Sequence, residues 1–227
     1  MKKINAMNFF IDDSLEQAYD LLLDGDLEDA ARLLESKLKE QPDCIQIILE
    51  LGNIYYILGI MAKSIIYYEK ALKIRPDSPY ILYRMGVALY RSTHFLRAID
   101  VFRKIIDSGK YLPMTYLWLG LSYYHVGKED KSIETYRELL GFCPDTMMAN
   151  YYMGVALKAA GKYDEAIGHF EKLINKTDQH VSALYHLGRA YMKNFNYEKA
   201  KIYFKKAIEL DPENTNASEM YNYLLNA

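Results

Sequence analysis

The sequence is short of the residues that build covalent or metal-bound frameworks. Its 227 residues include only two cysteines, Cys44 and Cys143, with no CxxC or Cys/His spacing around them. That pattern reads as two reduced thiols rather than a disulfide or a metal site. A dominant charge is also missing: the formal net charge is -2 at pH 7, without the basic excess that general nucleic-acid binding needs. Long apolar runs are absent too. The opening Met1-Lys2-Lys3-Ile4-Asn5-Ala6-Met7 is basic, but Asn8, Asp12 and Asp13 interrupt any signal-like core, and no segment approaches membrane-spanning length. The expectation is a soluble cytoplasmic protein with no direct membrane insertion. Hydrophobic residues make up 51% of the chain, enough to bury a sizeable core and to exclude disorder. Charge is unevenly spread. Residues 11–50 hold twelve acids against the three bases Arg32, Lys37 and Lys39, so an acidic entry precedes a mildly basic body.

A repeat organises what is present. The pairs Leu51-Gly52, Met85-Gly86, Leu119-Gly120, Met153-Gly154 and Leu187-Gly188 recur every 34 residues, and the same step back from Gly52 reaches the small residue Ala18. Small residues keep this register at Ala30, Ser64, Ala98, Ser132, Ala166 and Ala200, and large apolar ones at Leu34, Tyr68, Phe102, Tyr136, Phe170 and Phe204. Prolines close four units, at Pro42, Pro76, Pro144 and Pro212. Six units, 11–44, 45–78, 79–112, 113–146, 147–180 and 181–214, therefore run without insertion or deletion, between an N-terminal arm (1–10) and a lone helix at 215–227.

Each unit reads as a helical hairpin. Leu51, Ile54, Tyr55 and Leu58 fall on one helical stripe. Glycine inside a helix costs about 1 kcal/mol relative to alanine. Its recurrence here implies a partner helix packed on that backbone, with the small residue of the second helix supplying the close approach. Gly25, Gly59, Gly127 and Gly161 mark the turns, with Thr93 and Phe195 standing where the register would place the other two glycines. Lys110 and Asp178 stand where a closing proline is missing, and Ser14 and Gln17 weaken the stripe of the first unit, as suits a terminal cap facing water. In the last segment Ala217, Met220, Tyr221, Leu224 and Leu225 are placed to cover the sixth unit, leaving Asn216, Ser218, Glu219, Asn222 and Asn226 to solvent.

These residues resemble the tetratricopeptide repeat, with its Leu-Gly pair, following tyrosine, small residue, aromatic, alanine and proline; YYMGVALKAAGKYDEAIGHFEKLI and LYHLGRAYMKNFNYEKAKIYFKKAIELDP carry the likeness most clearly. The resemblance implies an all-α fold: a right-handed superhelical solenoid of six tandem hairpins with a C-terminal capping helix. It further implies a concave groove lined by the first helix of each hairpin, and a non-catalytic scaffold or adaptor that binds a peptide or helix of a client protein there. The groove positions that the family uses hold Tyr80, Tyr83 and Tyr90; Met114, Leu117, Trp118 and Tyr124; Met148, Tyr151 and Tyr152; and Tyr185. Polar groups at those positions are Asn53, Arg84, Arg91, His125, Lys158, Arg189 and Lys193. Tyrosine and tryptophan join apolar area to a hydrogen-bonding tip, and the cations can grip a carboxylate on the ligand. Because the chain has 22 tyrosines, some of these rings serve only to pack neighbouring helices.

Related repeats that hold the acidic tails of heat-shock proteins use a lysine–asparagine clamp. Asn53 matches one clamp position, but Leu49 stands in place of the lysine and Arg84 in place of the next asparagine, so that clamp is absent. Signals for catalysis are weak. Gly127-Lys128 and Gly161-Lys162 are turn residues without a phosphate-loop pattern, and His94, His125, His169, His180 and His186 show no metal-ligand spacing. The acids Asp24, Asp26, Glu28 and Asp29 surround a turn and helix start, where they favour the helix dipole. No enzyme activity and no cofactor are expected. A second reading is a self-assembling homo-oligomer in which Ile4, Met7, Phe9 and Phe10 of the arm dock on a neighbouring copy.

Overall fold

A computed structural model describes residues 13–110, 112–177 and 179–226. The expected N-terminal arm and the missing closing proline at Asp178 lie outside the described residues. Thirteen α-helices and no strand occur among the described residues, and none of the helices is long and apolar enough to cross a membrane. In chain order they are α1 (Asp13–Asp24), α2 (Leu27–Glu40), α3 (Ile45–Ile57), α4 (Met61–Ile74), α5 (Pro79–Arg91), α6 (Phe95–Asp107), α7 (Pro113–His125), α8 (Glu129–Phe142), α9 (Met147–Ala159), α10 (Tyr163–Lys176), α11 (Val181–Lys193), α12 (Tyr197–Leu210) and α13 (Thr215–Leu225). The contacts divide into two compact units, Met1–Val101 and Phe102–Ala227, with the division inside α6. In the first unit α1 packs on α2, α2 on α3, α3 on α4 and α4 on α5. In the second the same neighbour-to-neighbour order runs from α7 to α13, and the first helices α7, α9 and α11 also touch one another. Each unit is thus a stack of helical hairpins, the all-α repeat arrangement read from the sequence.

The helical glycines have a partner beyond the small residue that was expected. A Cβ on Gly52 would lie 2.7 Å from Cε1 of Tyr68; the corresponding distances are 2.5 Å for Gly120 to Tyr136, 2.8 Å for Gly154 to Phe170 and 2.7 Å for Gly188 to Phe204. An aromatic ring of the second helix therefore lies on the glycine, in addition to the small residue. The small residue also approaches that backbone closely. Ser64 Oγ donates to the Gly52 carbonyl and Ser132 Oγ to the Gly120 carbonyl, both at 2.8 Å, while Ala166 and Ala200 are fully buried at the same register.

The turns between paired helices share one geometry. Gly25, Gly59, Gly127 and Gly161 have positive φ, and so do Thr93 (62°) and Phe195 (58°) at the same register. In each turn the next residue's N–H bonds to the carbonyl five residues back, as in Ile60 to Tyr55 and His94 to Leu89. This is the left-handed helix termination that glycine favours. The closing prolines Pro42, Pro76, Pro144 and Pro212 all fall in the turns that follow second helices.

Successive hairpins are also tied by a second set of rings. Tyr55 and Tyr67 stack with centroids 5.6 Å apart, and both hydroxyls donate to Glu35 of the preceding hairpin, at 2.6 and 3.0 Å. Four repeats later Tyr191 and Tyr203 stack at 5.5 Å, and the Tyr191 hydroxyl donates to Glu171 at 2.6 Å. At the C-terminus Ala217 of α13 is buried with Leu184 and Ala207 in one cluster, so α13 covers the sixth hairpin as expected. Leu225 is a correction: it is 57% exposed, because the inward stripe of this short helix ends at Leu224.

Two substitutions test this account in urea denaturation. Gly154→Ala should lose about 1–2 kcal/mol, since overpacking against Phe170 outweighs the gain in helix propensity. Thr93→Gly should gain about 1 kcal/mol by releasing a β-branched residue from the left-handed region, net of the added freedom of the unfolded chain.

Candidate functional site

The glycine-seated rings Tyr68, Tyr136 and Phe170 each support a residue on the first helix of the following hairpin, and this sets the candidate surface. In the first compact unit Tyr68 presents its hydroxyl. It donates to Asn53 Oδ1 at 2.8 Å, while Arg84 donates from Nε to that hydroxyl at 3.2 Å and from Nη2 to Asn53 Oδ1 at 2.9 Å. Asn53 Nδ2 reaches Glu50 at 3.4 Å, and Glu50 also accepts from Tyr19 at 2.9 Å. The Arg84 and Arg91 guanidinium groups lie 5.0 and 4.7 Å from the centre of the Tyr56 ring. Burial pushes the Tyr68 phenol up even though Arg84 opposes it, and the Arg84 guanidinium is held further in its charged form by Tyr68 against its own burial. Arg84, expected as a grip for ligand carboxylates, is instead committed to Asn53 and Tyr68 within the fold. Around this network Tyr80 is 53% exposed, Tyr83 and Tyr90 are half-buried, and Arg91 is exposed.

In the second unit the supporting rings belong to Tyr136, Phe170 and Phe204, and the surface changes character. Tyr152 stacks on Tyr136 at 6.4 Å and meets Tyr151 edge-on at 5.1 Å. His186 stacks on Phe170 at 5.8 Å, and Tyr185 leans on Phe204 at 5.9 Å. Tyr151 stacks on His180 at 5.2 Å, and His180 in turn caps α11 by accepting from the Ala183 N–H at 3.2 Å. Lys158 Nζ lies 3.0 Å from His186 Nδ1, and Arg189 donates to the Tyr185 hydroxyl at 3.4 Å. Trp118 and Tyr124 are half-buried on α7, whereas His125 and Lys193 are exposed at the ends of α7 and α11. Leu117 is a correction. It is only 2% exposed and belongs to the core, because α7 is buried on more of its circumference than a single stripe would require.

Sequence reasoning left two participants out of the candidate set. Tyr56, which carries both arginines, has the same register as the selected Tyr90 and Tyr124; His186 has the register of Arg84, Trp118 and Tyr152. The register alone could have found both. His186 is electrostatically distinctive. Burial first, then the cations Lys158 and Arg189 and the ring of His180, push it down to about 3, while burial and then Arg189 push Lys158 down to about 8. At neutral pH the imidazole is therefore neutral and the lysine carries its proton. A His186 proton site depressed in the folded state makes the unfolded chain the stronger proton binder below its ordinary pKa of about 6.5. His186 thus withdraws stability as pH falls from about 6.5 toward 3. His186→Phe, which keeps a ring on Phe170, should flatten the acid limb of stability against pH in that window, measured by urea unfolding at a series of pH values.

Comparison with known proteins agrees with this architecture. Models of the tetratricopeptide repeat match residues 83–145, 148–176 and 181–214, and a TPR repeat model matches residues 52–92. No curated protein matches the sequence significantly. Among solved structures, YrrB, a TPR protein with an unusual peptide-binding site, is 20% identical, with a TM-score of 0.71 over 85% of this chain and 99% of its own. MamA (41-end) from Desulfovibrio magneticus RS-1 is 18% identical, with a TM-score of 0.71 over 75% of this chain and 97% of its own. PilW, a widely conserved type IV pilus biogenesis factor, is 20% identical, with a TM-score of 0.76 over 91% of this chain and 96% of its own. At such identities the likeness is one of fold. The 34-residue register, the glycine-seated hairpins and the repeat models coincide along the chain, and the protein belongs to the tetratricopeptide-repeat family.

Proposed function

We propose that the protein is a non-catalytic interaction scaffold that captures a segment of a client protein on the faces of its first helices. The observation that carries this reading is the concentration of partly exposed aromatic side chains on those helices: Tyr80, Tyr83 and Tyr90 on α5, Trp118 and Tyr124 on α7, Tyr151 and Tyr152 on α9, and Tyr185 on α11. A core-only role would bury them as completely as Tyr68 or Phe170, which are fully enclosed. Rings held by packing beneath and open above lose little entropy when a ligand covers them, which is the property of interface hot spots. Met114 and Met148, exposed at the start of α7 and α9, add adaptable apolar surface. The peptide-binding site of YrrB, on a similar fold, supports the same use of such a surface.

The reading is tested by replacing Tyr80, Tyr83 and Trp118 together with alanine in the full chain and comparing partner capture from a lysate of the native cell. Loss of hot-spot rings should weaken capture by at least about 30-fold while the far-ultraviolet helical signal is unchanged. Recovery of the same partners at the same yield by the folded variant overturns the proposal.

A further inference from the structure

In the second compact unit the first-helix face carries two cations, Lys158 and Arg189, beside the neutral imidazole of His186, and no carboxylate among the described residues pairs with either cation. Lys158 stands in the last turn of α9, and His186 and Arg189 stand on α11. The lysine ammonium and the His186 ring are joined at 3.0 Å, and among the described residues Arg189 donates to the Tyr185 hydroxyl alone, at 3.4 Å. The Arg189 Nε is buried without a hydrogen-bond partner. Among the described residues neither Lys158 nor Arg189 has a carboxylate within ion-pair distance, although eight other ion pairs occur. The contrast with Arg84 is direct, since that guanidinium is spent on Asn53 and Tyr68. A half-buried cation pair without a counter-charge is unfavourable in the free protein, and a partly apolar surround strengthens its attraction for an incoming anion.

We infer that Lys158, His186 and Arg189 form a carboxylate-binding subsite that anchors an acidic side chain of the client segment; this rests on the reading of the first-helix face as the client surface. The chemistry of the donors selects the ligand. Two cations repel a metal ion, and a planar guanidinium suits a planar carboxylate. The subsite is distinct in position from the lysine–asparagine clamp, which the sequence lacks at Leu49 and Arg84. Aromatic rings lie on the N-terminal side of the cations on both helices, Tyr151 and Tyr152 on α9 and Tyr185 on α11, so the anion belongs to a segment that also covers them. The ligand assigned is an aspartate or glutamate side chain of that segment; a chain terminus offers the same carboxylate chemistry and is the source that the test separates from it. The groups acting on Lys158 and His186 are Arg189, His180 and each other, with the Tyr151 and Tyr185 rings beside the imidazole. An anion added to this set reverses the depression of the lysine and returns it toward its ordinary range.

The test is a nuclear magnetic resonance titration of the full chain, reading the His186 ring and the Lys158 side-chain carbon next to the ammonium. Three probes are used: acetyl-Ala-Glu-Ala-amide, with a side-chain carboxylate only; acetyl-Ala-Gln-Ala, with a terminal carboxylate only; and acetyl-Ala-Gln-Ala-amide, with neither. The first should shift both signals saturably in the millimolar range and raise the Lys158 pKa by about one unit or more, and the third should do neither. Arg189→Gln and, as a change further from the core, Lys158→Met should each weaken the first probe by about tenfold or more. Equal or stronger saturation by the second probe overturns the assignment to a side chain. Absence of a saturable shift with either carboxylate, or an unchanged response in both folded variants, overturns the subsite itself. The client-surface reading is judged separately, by the capture experiment with Tyr80, Tyr83 and Trp118 replaced.

Discussion

The contact between a helical glycine and an aromatic ring of the paired helix fixes how closely the two helices of each hairpin approach. Any β-carbon at Gly52, Gly120, Gly154 or Gly188 would stand within 3 Å of that ring, so the helix gives up propensity to gain a seat for a large buried side chain. Tyr68, Tyr136, Phe170 and Phe204 are almost completely enclosed as a result. Dense packing of this kind holds a ring in one rotamer, and a fixed ring is a fixed foundation for whatever lies above it. The serine hydroxyls at Ser64 and Ser132 lock the same crossing from the side by satisfying the glycine carbonyl.

The surface offered to a partner is built on that foundation. Three seated rings meet a side chain of the next first helix, Tyr68 with Arg84, Tyr136 with Tyr152 and Phe170 with His186, while Phe204 meets Tyr185 of its own hairpin. A change from tyrosine to phenylalanine at the seat therefore changes what the neighbour can do. The Tyr68 hydroxyl draws Arg84 and Asn53 into an internal hydrogen-bonded network. Phe170 has no hydroxyl to offer, and His186 stacks on it and turns its Nδ1 to Lys158 instead. One scaffold geometry thus yields a closed polar network in one unit and an uncompensated cationic cluster in the other.

Much of this was legible in the sequence because a repeat averages away local noise. Five Leu/Met-Gly pairs in one register identify hairpins that no single unit would identify, and the registers of the turn and of the ring follow from them. Thr93 and Phe195 show the register overriding residue preference. Both adopt the left-handed conformation of the glycines they replace, because the neighbouring helices dictate the turn. What the sequence left open depends on contacts between units of the repeat. Leu117 has a groove register but α7 is buried on most of its sides; Arg84 has a ligand-gripping charge but a neighbour consumes its donors. The stacked pairs Tyr55–Tyr67 and Tyr191–Tyr203, with Glu35 and Glu171, join residues from adjacent hairpins and leave only a four-repeat echo in the sequence.

A fold shared with YrrB, which has a peptide-binding site, and with PilW, a pilus biogenesis factor, cannot itself select a client. Selection has to arise where the repeats of this chain differ from one another, and the first helices carry such differences. The register that holds Arg84 in the third unit holds Trp118, Tyr152 and His186 in the next three, while the ring seats beneath stay aromatic. Conserving the seat and varying its occupant separates stability from recognition. The glycine–ring crossing can stay constant while charge, hydrogen bonding and aromatic area change above it. Leaving the Arg189 Nε–H and the Lys158 ammonium without a carboxylate has an electrostatic cost that the seat did not require, since Phe170 would support a neutral apolar residue equally well. That cost is the ground on which the cations of α9 and α11 are assigned to the proposed recognition surface and not to the requirements of folding.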